Sequence, residues 1–455
     1  MSPSVPRLAS ASAIAGLLLL CAGGAMIATA QSLTAPADLV IKNATVMTAS
    51  HGTIQHGSVW LHNGKIAGVG ATVSAPPGAT VIDATGKYVT PGIIDPHSHS
   101  ALGDDVNEAT SPVTPSMMMI DAFDNRDKAL YQALAGGVTS ELLLHGSANM
   151  IGGQAVVIKN KFGLSKEEML FPNAPQSIKF ASGENPKRVY GTRNQLPSTR
   201  MGNFEVMRQS FEDAKVYRRE WDAYNDKVAK GDKDARPPHR DLKLEALADI
   251  LRGKLLVQIH CYRADEFLTE EAIAKEYGFK IRAFHHALEM YKVGGKIAAD
   301  GTGIATFTDW YGGKYEMWDG IPWNAVMSMR EGVRVALKSD SNDHIRRLNQ
   351  EAGKMVHYGG ATEDEAITMV TLNPAWIMGI DDKTGSLDVG KDGDVVIWNM
   401  DPLSTYARAE KVYIDGDLFF DSSLPGFGTT HFSGVMHGSG FDAGEDDDDD
   451  VEGGN

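Results

Sequence analysis

Two kinds of hydrophobic pattern divide the chain. Short β-rich runs separated by turn residues fill roughly positions 37–90 and return near the other end, from about 385 to 416. Between them, continuous apolar runs alternate with segments of helical spacing. Continuous apolar runs are typical of strands buried on both faces of a parallel sheet. Their alternation with helices favours a barrel or a doubly wound α/β fold.

The middle region, about 91–380, supplies the predicted barrel. Its strand-like runs are Ile93-Ile94, 138–144, 255–259, 304–307 and 333–337, and helix-like spacing covers 124–135, 270–277 and 287–293. The stretch from Met201 to Asp249 is polar and highly charged and lacks strand signals. It predicts a helical insertion, about 200–249, around a loop at Lys230-Gly231-Asp232-Lys233.

The β-rich ends predict a second, smaller unit. The pair Asn63-Gly64 between two β-rich runs is a strong hairpin signal. Each end is too small to hold a core alone. We therefore expect 31–90 and 381–425 to pair into one small β-sandwich beside the central α/β region.

The N-terminus has the features of a secretory signal. Arg7 gives a positive start, an apolar run follows from Ala13 to Ile27, and Ala28-Thr29-Ala30 is an A-x-A cleavage site. This predicts a signal peptide at 1–30 and export, with a bacterial periplasm as destination. Cys21 raises a lipoprotein alternative, which Leu20 disfavours because a small residue is expected there. After cleavage Cys261 is the remaining cysteine, so an intramolecular disulfide is excluded.

The net charge of the chain limits the kinds of macromolecule that it is expected to bind. The 455 residues carry a formal net charge of −16, which disfavours nucleic acid and anionic membrane surfaces. After the leader, no apolar run is long enough for a membrane span. Part of the charge lies in the run Glu445-Asp446-Asp447-Asp448-Asp449-Asp450, and we expect a disordered acidic tail at 426–455.

The sharpest chemical feature is the segment Pro91-Gly92-Ile93-Ile94-Asp95-Pro96-His97-Ser98-His99. Side chains two apart on a strand point to the same side, so His97 and His99 would face one divalent ion together. Such a pair also occurs by chance on protein surfaces. The apolar strand in front of it favours the metal interpretation.

Further ligand-type residues follow other apolar runs, as the rim of a barrel requires. These residues are Lys179, His260, His286 and Asp340. A βα unit takes roughly 25–30 residues. Intervals of 80, 26 and 54 positions separate His99 from Lys179, His260 from His286, and His286 from Asp340, close to three, one and two units. The interval of 81 from Lys179 to His260 is one unit plus the charged insertion.

This order of ligand types resembles the amidohydrolase superfamily, and nearly all of the mature chain takes part. Ile178-Lys179-Phe180-Ala181-Ser182-Gly183 and His286-Ala287-Leu288-Glu289-Met290-Tyr291-Lys292 resemble segments of its imidazolonepropionase-like and Xaa-Pro dipeptidase-like enzymes. The closing run 361–397, with Thr371-Leu372-Asn373-Pro374-Ala375, is similar to that of the superfamily. The resemblance implies a (β/α)₈ TIM barrel with a small β-sandwich built from both chain ends.

The resemblance also implies a site and a reaction. His97, His99 and Asp340 would hold one metal ion, His260 and His286 a second, and a carboxylated Lys179 would bridge two Zn²⁺. A hydroxide between the metals would attack the carbonyl carbon of an amide or peptide bond, with Asp340 as general base. The expected substrate is a small molecule or short peptide, and superfamily habit favours a homo-oligomer.

Individual assignments have alternatives. Glu184 competes with Lys179, and His285 competes with His286, although the spacing to Glu289 and Tyr291 favours His286. His145 is expected to be structural or to support the site. Arg263, Tyr262 and Tyr291 are candidates for substrate contact, and packing or a salt bridge is an equal expectation for Arg263 and Tyr262.

Two other functions are weighed. A mononuclear deaminase would carry Glu three residues after His260, where Arg263 stands, so an imidazolonepropionase-like hydrolase of cyclic amides is the stronger alternative. A non-catalytic protein of the same fold is disfavoured because all six ligand positions are filled.

Overall fold

The computed structural model describes residues 38–103 and 105–424. The predicted signal peptide and the acidic tail lie outside these residues, so export and the disordered tail stay predictions. Within the described ranges, none of the helices is both long enough and apolar enough to cross a membrane.

The strands are numbered along the chain. They are β1 Asp38–Met47, β2 Thr53–His62, β3 Lys65–Gly70, β4 Thr80–Asp83, β5 Tyr88–Pro91, β6 Ile93–Ser98, β7 Val138–Leu143, β8 Ile151–Gln154, β9 Val156–Lys159, β10 Ser177–Ala181, β11 Leu256–Cys261, β12 Ile281–His286, β13 Gly303–Thr306, β14 Val335–Leu337, β15 Val395–Trp398, β16 Ala409–Ile414 and β17 Asp417–Asp421.

The α-helices are α1 Met119–Ala122, α2 Lys128–Ala135, α3 Lys166–Met169, α4 Glu184–Gly191, α5 Arg200–Ala229, α6 Leu242–Leu251, α7 Ala264–Tyr277, α8 Gly294–Asp300, α9 Asn324–Arg330, α10 Leu348–Lys354, α11 Glu363–Met369 and α12 Leu372–Met378. Short 3₁₀ turns cover Met290–Lys292, Tyr315–Met317 and His344–Arg347, and a π turn covers Met355–Gly359.

The two chain ends form one shared sheet. Its strand order is β17-β16-β15-β5-β1-β2-β3, with β4 also paired to β1. The ends meet where β15 pairs antiparallel with β5, in register from Val395 opposite Pro91 to Trp398 opposite Tyr88. The expected pairing of the ends is therefore observed, as one connected sheet. A separate two-layer sandwich domain stays a prediction.

The predicted hairpin is present between β2 and β3. Asn63 and Gly64 both have positive φ, 49° and 78°, as a type I′ turn requires. A Cβ on Gly64 would lie 2.9 Å from the carbonyl oxygen of Asp415. Glycine at this position therefore permits both the turn and the close approach of the chain's C-terminal part.

The middle of the chain forms a TIM barrel-like α/β ring, which confirms the expected barrel. Strands β10 to β14 lie in sequence order and pair in parallel, and β6 pairs in parallel with β7. The ring closes where the amide of Asp340, just after β14, donates to the carbonyl of His97 on β6, 3.2 Å away. Closure therefore joins two segments that both carry predicted site residues.

The third position of the ring departs from the parallel pattern. It is filled by the consecutive strands β8 and β9, of which β9 pairs antiparallel with β7 and β8 pairs antiparallel with β10. The sequence Ile151-Gly152-Gly153-Gln154 has the composition of a turn, and these strands were not among the predicted ones. A Cβ on Gly152 would lie 2.0 Å from the ring of His145, so the side-chain-free strand makes room for that imidazole.

The charged insertion is helical. The 30-residue helix α5 begins after Thr199, whose side chain accepts from the amide of Gly202, and α6 packs beside α5 after a polar loop. Arg200 in the first turn of α5 pairs with Glu266 at 2.8 Å and with Glu316. Since Glu266 follows β11 and Glu316 follows β13, this arginine ties the insertion to two loops of the barrel rim.

A buried lysine joins the barrel to the shared sheet. Lys159 ends β9, and its ammonium group donates to Asp392 at 2.6 Å, to Asp394 at 3.2 Å and to Asp415. Burial lowers the pKa of Lys159, but the three carboxylates outweigh burial and hold this pKa above its usual value. The charged form of Lys159 is therefore the one that the folded protein stabilises.

We expect Lys159→Met to lower the free energy of unfolding by about 3–5 kcal/mol, because it leaves buried carboxylates without a cation. Guanidinium unfolding followed by circular dichroism measures the change. Lys275→Met is the control, since the exposed Lys275 pairs with Asp300 at 2.7 Å and such pairs contribute about 1 kcal/mol or less. Equal losses in both variants would contradict the role of Lys159.

Candidate metal centre and active site

The six ligand-type residues predicted from sequence meet at one end of the barrel. His97, Lys179, His260 and His286 lie on β6, β10, β11 and β12, while His99 and Asp340 directly follow the β6 and β14 region. The histidines and the lysine are buried, and 14% of the Asp340 side chain is exposed. The strand ends of a closed barrel therefore bring these residues into one pocket, as the spacing predicted.

The tightest group consists of His97, His99 and Asp340. The two Nε2 atoms lie 3.2 Å apart, and each lies 3.1 Å from Oδ1 of Asp340. His97, His286 and Asp340 also satisfy the geometry of a metal-binding set, with one ligand atom from each within 4.8 Å of the others. Lone pairs that face one another at these distances repel, and a divalent cation among them would remove the repulsion.

Hydrogen bonds assign the tautomer of His97. The Gln258 side-chain amide donates to the carbonyl of Ile377, so its Oε1 accepts from Nε2 of His285 at 2.9 Å. Nδ1 of neutral His285 is then an acceptor and receives the proton of His97 Nδ1 at 2.8 Å. The remaining nitrogen of His97, Nε2, therefore presents its lone pair to the pocket.

His99 is anchored in the same way. His99 Nδ1 lies 2.6 Å from the carbonyl of Leu144, to which it donates, so Nε2 of His99 also keeps its lone pair. Burial lowers the pKa of His97, His260 and His286 well below the usual value. Neutral imidazoles with an anchored outer N–H are the form in which histidine binds metal.

A second group of free nitrogens lies beside the first. His260 is held by Nδ1, 2.7 Å from Oγ of Ser147, and its buried Nε2 has no hydrogen-bond partner. Both ring nitrogens of buried His286 also lack hydrogen bonds, and the rings of His260 and His286 lie 4.2 Å apart. Orphaned buried nitrogens are expensive unless something binds them, so this pair fits a second metal position.

Lys179 lies beside the first group. Its Nζ is 3.1 Å from Nε2 of His97 and donates to the carbonyl of His145 at 2.7 Å. Nε2 of His145 in turn lies 3.3 Å from the carbonyl of Lys179. His145 therefore supports Lys179, which agrees with its expected supporting role. The competing Glu184 begins α4, where its backbone amide donates to the carboxylate of Glu316 at 2.9 Å.

Asp340 has two different carboxylate oxygens. Oδ1 faces His97 and His99, while Oδ2 accepts from Nζ of Lys338 at 2.9 Å. Burial raises the pKa of Asp340, but Lys338 and the histidines outweigh burial and hold this pKa well below its usual range. Asp340 and His286 also have positive φ, 55° and 68°, a strained backbone typical of functional sites.

Of the three predicted substrate contacts, one has its ring against the site histidines and two have their polar groups bound to other residues. The Tyr262 ring lies 4.8 Å from the rings of both His260 and His286. The guanidinium of Arg263 is paired with Asp265 at 3.0 and 3.1 Å. The hydroxyl of Tyr291 donates to the carbonyl of Asp319 at 3.1 Å. Tyr262 is therefore the better placed of the three for substrate.

Sequence reasoning missed Lys338 and Gln258, and it named His285 only as a competitor of His286. All three are buried and contact the ligand-type residues or one another. The spacing Lys338-x-Asp340 was a usable signal, because residues two apart on a strand face the same way. Nothing in the sequence distinguished Gln258 from other strand polar residues.

Two buried acids lie beneath the site. Asp95 accepts from the amide of His97 at 3.0 Å and from the side chain of Ser339, so it joins β6 to the segment after β14. Glu141 accepts from Oγ of Ser98 at 2.8 Å. Burial raises the pKa of Asp95 to about 6, and burial together with Asp95 raises the pKa of Glu141 to about 8. The folded protein therefore favours protonated Glu141 near neutral pH.

Comparison with known proteins identifies the family. The profile of the Amidohydrolase family matches residues 324–422. A solved amidohydrolase from Thermotoga maritima is 36% identical, with a TM-score of 0.77, and the match covers 84% of this chain and 100% of that one. The chain belongs to the amidohydrolase family. The family is one of hydrolases that act on carbon–nitrogen bonds of small molecules, and its members typically depend on a divalent metal.

Two curated relatives align with most of this chain. The amidohydrolase tasK of Hapsidospora irregularis is 36% identical over 400 residues, which are 81% of this chain and 40% of that protein. The chain thus spans less than half of tasK. The imidazolonepropionase of Mesorhizobium japonicum is 24% identical over 393 residues, 78% of this chain and 88% of that protein.

Replacing the buried Glu141 should raise the free energy of unfolding of this amidohydrolase in a pH-dependent way. A pKa raised from 4.5 to about 8 makes the folded state lose stability as pH rises through this window. Glu141→Gln removes that loss, so we expect the free energy of unfolding to rise by about 2–4 kcal/mol at pH 8 and by less than about 1 kcal/mol at pH 5. Urea unfolding at both pH values measures the change.

The matched control is Glu167→Gln on the exposed first turn of α3, for which we expect no gain at either pH. A gain from Glu141→Gln that is equal at pH 5 and pH 8 would show that ionisation of Glu141 is not its cause.

Proposed function

We propose that this chain is a metal-dependent hydrolase that cleaves carbon–nitrogen bonds of small amides or short peptides. The observation that carries the proposal is the inward set of imidazole nitrogens. Nε2 of His97 and His99 face Oδ1 of Asp340, while their Nδ1 atoms are bound to His285 and to a backbone carbonyl. Such outer hydrogen bonds fix metal-binding histidines.

The donor set fits two divalent cations, and we propose zinc. Nitrogen ligands with one carboxylate oxygen suit Zn²⁺. His97, His99 and Asp340 would hold the first ion, and the orphaned nitrogens of His260 and His286 the second. Bound there, a divalent metal supplies a Lewis acid for the substrate carbonyl and lowers the pKa of a coordinated water to about 7.

Lys179 would provide the anion between the two positions. Two cations at close range need a negative charge between them, which a lysine ammonium does not supply. Addition of CO₂ to the Lys179 amine with loss of a proton forms an N–C bond and a carbamate of charge −1. The position of Nζ, 3.1 Å from Nε2 of His97, supports this role.

In the proposed reaction, Asp340 carries the proton. Its carboxylate would accept a proton from the attacking water and return it to the leaving amine, the work of a general base and then a general acid. Its depressed pKa keeps it ionised before the reaction. Its partly exposed side chain leaves it accessible from the mouth of the pocket.

Hydrophobic side chains beside His260 and His286 favour an apolar group on the substrate. Tyr262, Phe307, Met317 and Leu288 form a small hydrophobic cluster with Trp310 packed against it. The Phe307 ring lies 5.3 Å from that of His286. We therefore propose amides or dipeptides that place an apolar side chain beside the scissile bond.

One observation favours a second candidate, a mononuclear hydrolase of cyclic amides like imidazolonepropionase. Lys179 Nζ donates to the carbonyl of His145 at 2.7 Å, which is a stable use for an amine that is not carboxylated. A relative named imidazolonepropionase also aligns over most of its length. Metal stoichiometry separates the two candidates.

We expect close to two metal ions per chain when the mature protein is produced with zinc and bicarbonate, because both groups of nitrogens are then filled. Lys179→Ala should reduce this number, since it removes the bridging anion. Elemental analysis of the purified protein measures the stoichiometry. Lys233→Ala, in the exposed loop between α5 and α6, is the control and should keep both ions. A stoichiometry of one ion per chain, unchanged in Lys179→Ala, would overturn the carbamate bridge.

A substrate screen tests the bond that is cleaved. We expect hydrolysis of dipeptides and N-acyl amino acids with apolar side chains, and a loss of kcat of about 10²–10⁴-fold in Asp340→Asn because the proton carrier is removed. Asp319→Asn, at an exposed aspartate paired with Lys292 at 2.5 Å, is the matched control and should retain activity. Turnover of cyclic amides alone would favour the second candidate.

A further inference from the structure

Lys338 lies at the centre of the site without being one of the six ligand-type residues. It comes two residues before Asp340, and its side chain is fully buried. Its Nζ donates to Oδ2 of Asp340 at 2.9 Å and lies 4.1 Å from the centre of the Phe307 ring. Burial lowers the pKa of this ammonium group, which lies among side chains that fit cations.

Such a charge is unfavourable unless it has a specific role. Removing an ammonium group from water costs several kcal/mol, and an apolar residue of similar volume often replaces a buried ion pair without loss of stability. Lys338 would also repel a metal ion held at Oδ1 of the same carboxylate. Neither packing nor simple charge balance therefore accounts for a lysine at this position.

The hydrogen bonds of Asp340 indicate the role. Oδ1 faces Nε2 of His97 and His99, but a carboxylate turns about its terminal bond unless its other oxygen is held. His286 Nδ1 lies 3.3 Å from Oδ2 without the geometry of a hydrogen bond. Within the described part of the chain, Nζ of Lys338 donates to this oxygen at 2.9 Å and so holds it.

We propose that Lys338 is a positioning residue for Asp340. By holding Oδ2, it fixes the carboxylate so that Oδ1 points to the metal position formed with His97 and His99. The inference rests on the proposed function, because it assigns Asp340 a metal ion to bind. It predicts that the favourable effect of Lys338 on metal affinity passes through Asp340.

A double-mutant cycle tests this prediction with Co²⁺ alone as the probe. Metal-free full-length protein is titrated with Co²⁺, and the visible absorption of the bound ion gives its affinity and coordination. We expect Lys338→Met to weaken Co²⁺ binding by about 10–100-fold, the usual effect of losing a residue that orients a ligand. In an Asp340→Ala background, the same substitution should cause no loss of Co²⁺ affinity, because it then removes a repelling charge without releasing a ligand.

Several outcomes would overturn the proposal. Unchanged or tighter Co²⁺ binding by Lys338→Met would show that the lysine acts only as a repelling charge. An equal loss in both backgrounds would show a packing role that does not pass through Asp340. Wild-type protein that binds no Co²⁺ would overturn the proposed function as well, which distinguishes the two failures.

A second variant guards against misfolding. Lys338→Gln keeps an N–H donor on a shorter side chain, so we expect a smaller loss of Co²⁺ affinity than for Lys338→Met. Far-ultraviolet circular dichroism and the thermal midpoint of each metal-free variant establish that it is folded. Equal losses in the Met and Gln variants, with both folded, would contradict a hydrogen-bonding role.

Discussion

The site depends on the closure of the barrel. The amide of Asp340 donates to the carbonyl of His97, and Ser339 binds the carboxyl group of Asp95, so the last strand is fastened to the first across 243 positions of sequence. Asp340 is far in sequence from His97 and His99, and this contact brings the carboxylate to them. Closure is therefore the step that converts a row of strand ends into one cluster of ligand-type atoms.

The closed pocket holds an unusual balance of charge. Burial disfavours the charged form of His97, His260 and His286, and Nδ1 of His97 and of His99 is bound by His285 and by the carbonyl of Leu144. Lys338 and Asp340 form a buried pair, and the raised pKa of Glu141 favours its protonated form beneath the site. An incoming cation would therefore be bound mainly by imidazole nitrogens and by Asp340. Orientation of those few donors consequently matters more here than overall charge.

Strand-end reasoning predicted the barrel and brought together His97, His99, Lys179, His260, His286 and Asp340, because these residues follow apolar runs at barrel spacing. It did not predict Lys338 or Gln258, and it named His285 only as a competitor of His286. A short parallel strand is buried on both faces, so its pattern does not tell which polar residues point into the ring. For Arg263, substrate contact and a salt bridge were equal expectations, and its guanidinium pairs directly with Asp265. Such pairing depends on rotamers, which a sequence pattern does not encode.

The reversed third strand shows why local pattern and final structure differ at one place. Gly152 and Gly153 lower the strand tendency of β8, but a Cβ at Gly152 would overlap the His145 imidazole. His145 in turn accepts from Lys179 through its carbonyl oxygen, so the glycines serve the site rather than their own strand. Immediately after β8, the same segment continues as β9 to Lys159, whose three carboxylate partners flank strands of the shared sheet, just before β15 and between β16 and β17. One antiparallel segment thus connects the support of Lys179 to the sheet formed by both chain ends. Through this segment, the sheet formed by the two chain ends is linked to the residues that support Lys179 in the site.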